Sequence, residues 1–166
     1  MNLLMINLLI VLLVIFILLL LNYISYKMMK HRILNTRKWD LNICCGKTDG
    51  SGVNADIMEH ASVNNYCHLV DIYNLPFDDQ QFEYVLCSHT IEHVEDVELF
   101  DKELRRIGKN ITYVLPPLWD LSAALNFFEH RWLFLTFKKE HHVLPRYIKL
   151  PFSHKVQSWL GQRIHA

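Results

Sequence analysis

The chain has 166 residues, 51% of them hydrophobic, and its 17 acidic residues balance its 17 basic ones. Fourteen of the acids lie between residues 40 and 103. A net-acidic stretch repels phosphate backbones, so no nucleic-acid partner is expected. The four cysteines include no C-x-x-C pair that would indicate a structural zinc site. Their small number suits reduced thiols of a cytoplasmic domain better than a disulfide framework.

The N-terminal segment Leu3–Leu21 is apolar except for Asn7 and would reach ~28 Å as a helix, about one hydrocarbon core. It is apolar all round, and it lacks the charged start and small-residue cleavage site of a secretory signal. Five basic residues between 27 and 38 precede any acid, which puts the following chain in the cytoplasm and the N-terminus outside. We therefore predict a single-pass transmembrane anchor over residues 1–26 and a basic juxtamembrane linker over residues 27–38.

Residues 39–117 have the pattern of an α/β core. A helix is predicted over Asp96–Ile107, with acids in its first turn and basic residues in its last, ended by Gly108. Only seven residues separate Cys45 from Val53, too few for a helical crossover, so the usual first helix is predicted to be reduced or absent. Short β-branched, aromatic or apolar runs predict strands at Trp39–Cys45, Val53–Ile57, His68–Ile72, Phe82–Cys87 and Ile111–Leu115.

The C-terminal region, residues 118–166, is aromatic-rich and basic. Leu121–Phe137 has a helix-like pattern, no further strand is predicted, and Ser153–Ile164 fits a basic amphipathic helix. Its aromatic residues are expected to pack on the sheet or to lie at the bilayer interface. A polar group within it could also recognise an acceptor: Asn126, Glu129, His130, Arg131 and Trp132.

Ligands of open parallel sheets bind at the carboxyl ends of the strands, so the residues at those ends are the candidates for chemistry. Gly46 follows the first predicted strand, where a glycine lets the backbone approach a ligand. Asp56 ends the second strand, where an acid can accept hydrogen bonds from a ribose diol. Asp71 and the pair Ser88–His89 end the third and fourth strands.

This order of strand ends, followed by LPFDDQQFEYVLCSHTIEHVED and KELRRIGKN, resembles class I S-adenosylmethionine-dependent methyltransferases of the type 11-like group, from about Asp40 to Leu115. The resemblance implies a minimal Rossmann-like parallel sheet behind the transmembrane helix and S-adenosylmethionine as the cofactor. Asn42 replaces the family's acid before the loop, Cys44 its first glycine and Thr48 its last. The resemblance implies these cofactor-binding residues: Cys44, Cys45 and Gly46 near the methionine portion, Asp56 at the ribose, Asp71 and Ile72 at the adenine, and Ser88.

The segment His89–His93 is the candidate catalytic region. The resemblance implies that His89, Glu92 and His93 line the mouth where an acceptor enters. A histidine titrates near neutral pH, so His89 and His93 are candidate general bases, with Glu92 third. Alternatively, Glu92 and His93 only cap and orient the following helix.

The same segment also spells H-x-x-E-H, the inverted zinc-protease motif. A zinc site of that type needs both histidines on one face of a continuous helix and a third ligand from elsewhere. Residues that could supply the third ligand are Glu129, His130, Glu140, His141 and His142.

The sequence thus predicts a methyltransferase at the cytoplasmic membrane face that needs no metal and acts on a small-molecule or lipid-like acceptor. Two alternatives remain open. One is a non-catalytic, membrane-tethered interaction module, in agreement with the altered glycine loop, and the other is a zinc hydrolase.

Overall fold

The computed structural model describes residues 3–58 and 63–161. The N-terminal segment forms α1 (Leu3–Tyr23), continues through a π-helical stretch (Ile24–Met29) and ends as α2 (Lys30–Leu34). Among the described residues, α1 has no buried side chain, and the helix is long and apolar enough to cross a membrane. Residues 27–34, about two thirds of the predicted basic linker, are therefore helical.

The sheet has six strands in the order β3-β2-β1-β4-β5-β7. The first five are parallel, and β7 pairs antiparallel with β5. The order reverses between β1 and β4, so the fold is Rossmann-like as predicted, with its crevice at the carboxyl ends of these two strands. The strands are β1 (Leu41–Ile43), β2 (Val53–Asp56), β3 (Tyr66–His68), β4 (Phe82–Ser88), β5 (Gly108–Val114) and β7 (Glu140–His141).

The predicted helix is confirmed as α3 (Val97–Ile107), which connects β4 to β5. The Asp96 side chain caps it by accepting a 2.9 Å hydrogen bond from the Leu99 backbone N–H. Its apolar stripe, which includes the fully buried Phe100 and Leu104, packs in the main core on one face of the sheet.

The link between β1 and β2, residues 44–52, contains no helix, which confirms the prediction from its length. Asn54 is buried and organises this loop. Its Oδ1 accepts hydrogen bonds from the Gly50 backbone N–H at 2.9 Å and from Asn42 Nδ2 at 3.1 Å, and its Nδ2 donates to Asp49 Oδ1 at 2.9 Å. Side-chain hydrogen bonds thus hold a connection that a helix would normally make.

The predicted third strand, His68–Ile72, is wrong apart from its first residue. The strand is Tyr66–His68, paired with the end of β2. The Leu69 N–H donates to the Asp56 carbonyl at 2.8 Å and ends this pairing. Leu69 is buried whereas Val70 is 92% exposed, so the apolar residues there belong to a loop.

The predicted all-helical C-terminal region is also wrong. Only α4 (Leu121–Ala124) and α5 (Ser153–Leu160) are helical, and the end of the predicted last helix lies outside the described residues. β6 (Trp132–Phe134) pairs antiparallel with β8 (Tyr147–Lys149), and β7 covers the edge of β5. Strands of two or three residues are too short to produce a readable alternation of apolar and polar side chains.

Candidate functional site

A cavity of about 230 Å³ opens at the carboxyl ends of the parallel strands. Of the predicted site residues, Cys44, Ile72, His89 and His93 line it, and Ile57 and Tyr73 are among its other walls. The site therefore lies at the switch point of the sheet, where the sequence placed it.

The loop after β1 makes left-handed turns at two predicted cofactor residues. Cys44 has φ 49° and Gly46 has φ 54°. Glycine adopts this conformation without steric cost, whereas Cys44 does so with its Cβ in place. Cys44 thus keeps a backbone conformation that suits the glycine of the resembled family.

The Asp56 carboxylate holds this loop closed. It is fully buried, and its Oδ2 accepts a hydrogen bond from the Gly46 backbone N–H at 2.8 Å. Its Oδ1 accepts a longer bond, 3.2 Å, from the Met58 N–H. Asp56, the residue predicted to bind the ribose, is therefore hydrogen-bonded in this structure to the loop between β1 and β2.

Three other predicted cofactor residues do not line the cavity. Asp71 is exposed and accepts a hydrogen bond from the Tyr73 N–H at 2.8 Å. Cys45 is buried, and burial raises the pKa of its thiol to about 11. Ser88 Oγ is buried and has no hydrogen-bond partner among the described residues.

A buried chain of polar side chains runs from Lys139 to Glu92. Lys139 Nζ lies 2.7 Å from His89 Nε2, and His89 Nδ1 lies 3.2 Å from Glu92 Oε1. Burial lowers the pKa of His89 to about 4 and that of Lys139 to about 8. An ammonium at Lys139 donates to Nε2, which places the His89 proton on Nδ1 facing Glu92. Because both ring nitrogens are engaged, His89 suits an orienting role better than that of a general base.

Glu92 lies beneath the cavity and is fully buried. Burial alone would raise its carboxyl pKa, but His89, together with His93 and His130, lowers that pKa below its usual value. Glu92 is thus an anion surrounded by imidazoles.

His93 reaches the cavity from the same turn. Its Nδ1 lies 3.0 Å from the Glu129 carbonyl, so Nδ1 carries the proton and Nε2 is the acceptor nitrogen. The rings of His93 and His130 meet edge to face at 4.8 Å. Burial lowers the pKa of His130 to about 4, so this imidazole is neutral at pH 7.

The inverted zinc-protease geometry does not form. Residues 91–93 are a turn, and α3 begins only at Val97. His89 is engaged by Lys139 and Glu92, so His89 and His93 do not face one ion from a common helix face. A different potential metal-binding group exists instead: Glu92, His93 and His130.

The predicted acceptor-side residues join two loops at the cavity wall. Arg131 lines the cavity and its Nη1 lies 3.2 Å from Glu95 Oε1. Trp132 Nε1 donates to the Val94 carbonyl at 2.9 Å, and Asn126 Nδ2 donates to Glu129 Oε2 at 2.9 Å.

The C-terminal end of α1 and the π-helical stretch after it contact residues of this site and of the loop before α4. Lys139 Nζ donates to Ser25 Oγ at 2.9 Å, and the ring of Tyr26 lies 5.4 Å from that of His89. Asn22 Nδ2 donates to the Asp120 carboxylate at 3.3 Å. Lys139 is not recognisable from the sequence, because a lysine within a basic, histidine-rich run is usually solvated.

The chain resembles known proteins in its central part. A family model described as a methyltransferase domain matches residues 45–115, less than half of the chain. A comparison with curated proteins gives no match. The match to the methyltransferase domain implies S-adenosylmethionine as the cofactor.

Solved structures similar to this chain include a SAM-dependent methyltransferase from Thermotoga maritima described as a possible histamine N-methyltransferase. It is 19% identical with a TM-score of 0.41, over 57% of this chain and 52% of that one. The YcgJ protein of Bacillus subtilis is 19% identical with a TM-score of 0.43, over 61% and 57%. A Pyrococcus horikoshii protein is 17% identical with a TM-score of 0.42, over 84% and 79%. The chain thus spans little more than half the length of the first two.

The residues at the cavity fit the nucleoside part of this cofactor in position and chemistry. Ile57, directly after β2, and Ile72, in the loop after β3, offer apolar surfaces for a flat base. At about 230 Å³ the cavity is smaller than the ~300–1,000 Å³ of typical ligand pockets. Asp56 is fully buried, its Oδ2 accepts a hydrogen bond from the Gly46 N–H, and it does not line the cavity in this structure.

Proposed function

We propose that this chain is an S-adenosylmethionine-dependent methyltransferase that acts at a membrane surface on an acceptor held in the membrane. The observation that carries the proposal is the contact between the N-terminal helix and the cavity. Tyr26 packs against His89, which lines the cavity, and Ser25 accepts a hydrogen bond from Lys139 behind it. The match of residues 45–115 to a methyltransferase domain supports the reaction class.

The cofactor, when bound, supplies an electrophilic methyl group. Ile57 and Ile72 would flank the base, Cys44 would lie near the methionine portion, and the Asp56 carboxylate would accept hydrogen bonds from the ribose. These residues orient the cofactor at the switch point of the sheet, and orientation is the main contribution that a protein makes to such a transfer.

As long as no metal is bound to it, His93 is the group best placed to take a proton from the acceptor. It lines the cavity, and the Glu129 carbonyl fixes its proton on Nδ1. The other ring nitrogen, Nε2, is therefore the one that can accept a proton. His89 is a positioning residue, since Lys139 and Glu92 hold it between them.

A membrane-held acceptor is supported by the surface around the helix. α4 packs beside α1, and exposed apolar side chains follow that contact at Leu121, Leu125 and Phe128. Such side chains suit the interfacial region of a bilayer. The five basic residues after the apolar segment favour the cytoplasmic face. A lipid-like acceptor could reach the cavity there without crossing bulk water.

The test uses the full chain in lipid nanodiscs. Calorimetry with S-adenosylmethionine measures cofactor binding, and cofactor carrying a radiolabelled methyl group is then incubated with nanodiscs made from a total lipid extract. We expect saturable binding and transfer of label into the organic phase. A folded chain that binds neither S-adenosylmethionine nor S-adenosylhomocysteine would contradict the proposal.

The second candidate is a non-catalytic interaction module with the same fold. The closed Asp56–Gly46 contact and the small cavity favour it. Cofactor binding without label transfer to lipid, protein or small-molecule fractions would support this candidate over the first.

A further inference from the structure

Three side chains converge next to the cavity from two separate loops. Glu92 and His93 come from the turn after β4, and His130 comes from the loop before β6. Each offers one ligand atom, and these atoms all lie within 4.8 Å of one another. The Glu92 carbonyl accepts hydrogen bonds from the backbone N–H groups of Arg131 at 2.8 Å and Trp132 at 3.2 Å. Main-chain bonds therefore fix the two loops to each other at this point.

Two members of this cluster, Glu92 and His130, are buried and carry side-chain atoms that lack a hydrogen bond within the described residues. Glu92 is fully buried, and within residues 3–58 and 63–161 neither of its carboxylate oxygens accepts a hydrogen bond of good geometry. His89 Nδ1 makes a polar contact with it, 3.2 Å from Oε1. His130 is 4% exposed, and its Nδ1 likewise has no hydrogen-bond partner in that part of the chain. Buried polar atoms normally have partners, so this group requires an explanation.

The surroundings of the cluster resemble the outer shell of a metal site. Histidines that bind metals usually donate their other ring N–H to a carbonyl or carboxylate. His93 does so through Nδ1 to the Glu129 carbonyl. Glu92 is approached by His89, which Lys139 in turn holds. His93 and Glu92 are thus oriented by the Glu129 carbonyl and by His89, while the ligand atoms of the cluster lie close to one another.

We propose that Glu92, His93 and His130 bind one divalent cation of the zinc type beside the cavity. Two imidazoles and one carboxylate are a common zinc donor set that leaves a position open to solvent or substrate. A tetrahedral ion with bonds of ~2.0 Å sets its ligand atoms ~3.3 Å apart, so modest side-chain movements close the site around the ion. Because His93 lines the cavity, an ion held by this group would lie beside it. The site differs from the H-x-x-E-H motif because His130 replaces His89, and it departs from the expectation of no metal.

The test is zinc binding by the full chain in detergent micelles after treatment with a chelator. Calorimetric titration with zinc chloride gives affinity and stoichiometry, and cobalt(II) gives an absorption spectrum that reports its coordination. The variants are His93→Gln, His130→Gln and the nearly isosteric Glu92→Gln. The matched control is His142→Gln, because the His142 side chain is 70% exposed and lies outside the cluster.

We expect one tightly bound zinc ion per chain and a tetrahedral cobalt(II) spectrum. Affinity should fall by roughly 100-fold or more in each of the three cluster variants and stay within about twofold in His142→Gln. Wild-type protein without tight zinc binding, or cluster variants that bind as the wild type does, would overturn the proposal. Should a variant unfold, the wild-type cobalt(II) spectrum decides, since an octahedral spectrum of hydrated ion contradicts the site.

The inference does not rest on methyl transfer, and the two can fail separately. S-adenosylmethionine is titrated into the same preparations with and without zinc. Cofactor binding by protein that binds no zinc would overturn the metal site and leave the proposed function. Zinc binding by protein that binds no cofactor would support the metal site and contradict the proposed function.

Discussion

Asp56→Ala tests whether one carboxylate both closes the loop after β1 and serves the cofactor. The fully buried carboxylate accepts hydrogen bonds from the Gly46 N–H at 2.8 Å and the Met58 N–H at 3.2 Å. A hydrogen bond to a charged group contributes ~1.5–3 kcal/mol, and the longer bond belongs at the lower end. Loss of both should lower the free energy of unfolding by about 3–5 kcal/mol. Asp56→Asn keeps one neutral acceptor and should lower it by about 2 kcal/mol.

Urea unfolding followed by circular dichroism measures these losses, with Asp78→Ala as the control. Asp78 is exposed, and its carboxylate makes no hydrogen bond to the described residues, so its replacement should change stability by less than ~0.5 kcal/mol. Calorimetry should show S-adenosylmethionine binding by Asp56→Ala about tenfold to a hundredfold weaker than by the wild type. A loss of stability below ~1 kcal/mol would refute the structural role. Unchanged affinity in a folded variant would place the ribose elsewhere.

Three further predictions concern the base, the loop and the anchor. His93→Ala should reduce methyl transfer by ~10²-fold or more, while cofactor affinity stays within a few-fold because His93 lies on the acceptor side. Equal losses of transfer and of affinity would contradict this prediction. Gly52→Ala should destabilise the fold by ~1–3 kcal/mol in urea unfolding, because its Cβ would lie 2.2 Å from the Trp39 carbonyl oxygen; wild-type stability would show that the loop can shift. A reporter fused after Ala166 should be cytoplasmic, and a signal from the other side would reverse the topology.

The sequence predicted the parts of the fold where pattern and physical cause coincide. α3 has an apolar stripe, an Asp96 cap and a following glycine, and all three are used in the structure. β4 and β5 are seven residues long, enough for their β-branched and aromatic content to be recognised. The short link to Val53 correctly excluded a helix because chain length alone sets that limit.

The failures occur where tertiary contacts determine the structure. β3 is fixed by pairing with β2 and not by its own composition. β7 contains Glu140 and His141, which carry no strand signal, and it forms because the edge of β5 is available there. In the site, Lys139 and His130 are distant in sequence from Glu92 and join it only through folding. The H-x-x-E-H pattern contains Glu92 and His93, and His130 is among its candidate third ligands. The pattern pairs His93 with His89, however, and in the structure His89 is held by Lys139 and Glu92.

The N-terminal helical segment also packs against the domain behind it. On the face of the sheet opposite α3, Leu86 and Val114 pack in a small buried cluster with Ile33, Leu34 and Trp39. Trp39 Nε1 donates to the Leu34 carbonyl at 3.0 Å, which fixes the end of α2 to the start of the core. The link between β1 and β2 has no helix to contribute to that face, so α2 provides apolar cover there. Because the same continuous helix also carries Ser25 and Tyr26, the packing of α2 sets the position of the cavity relative to the apolar helix α1.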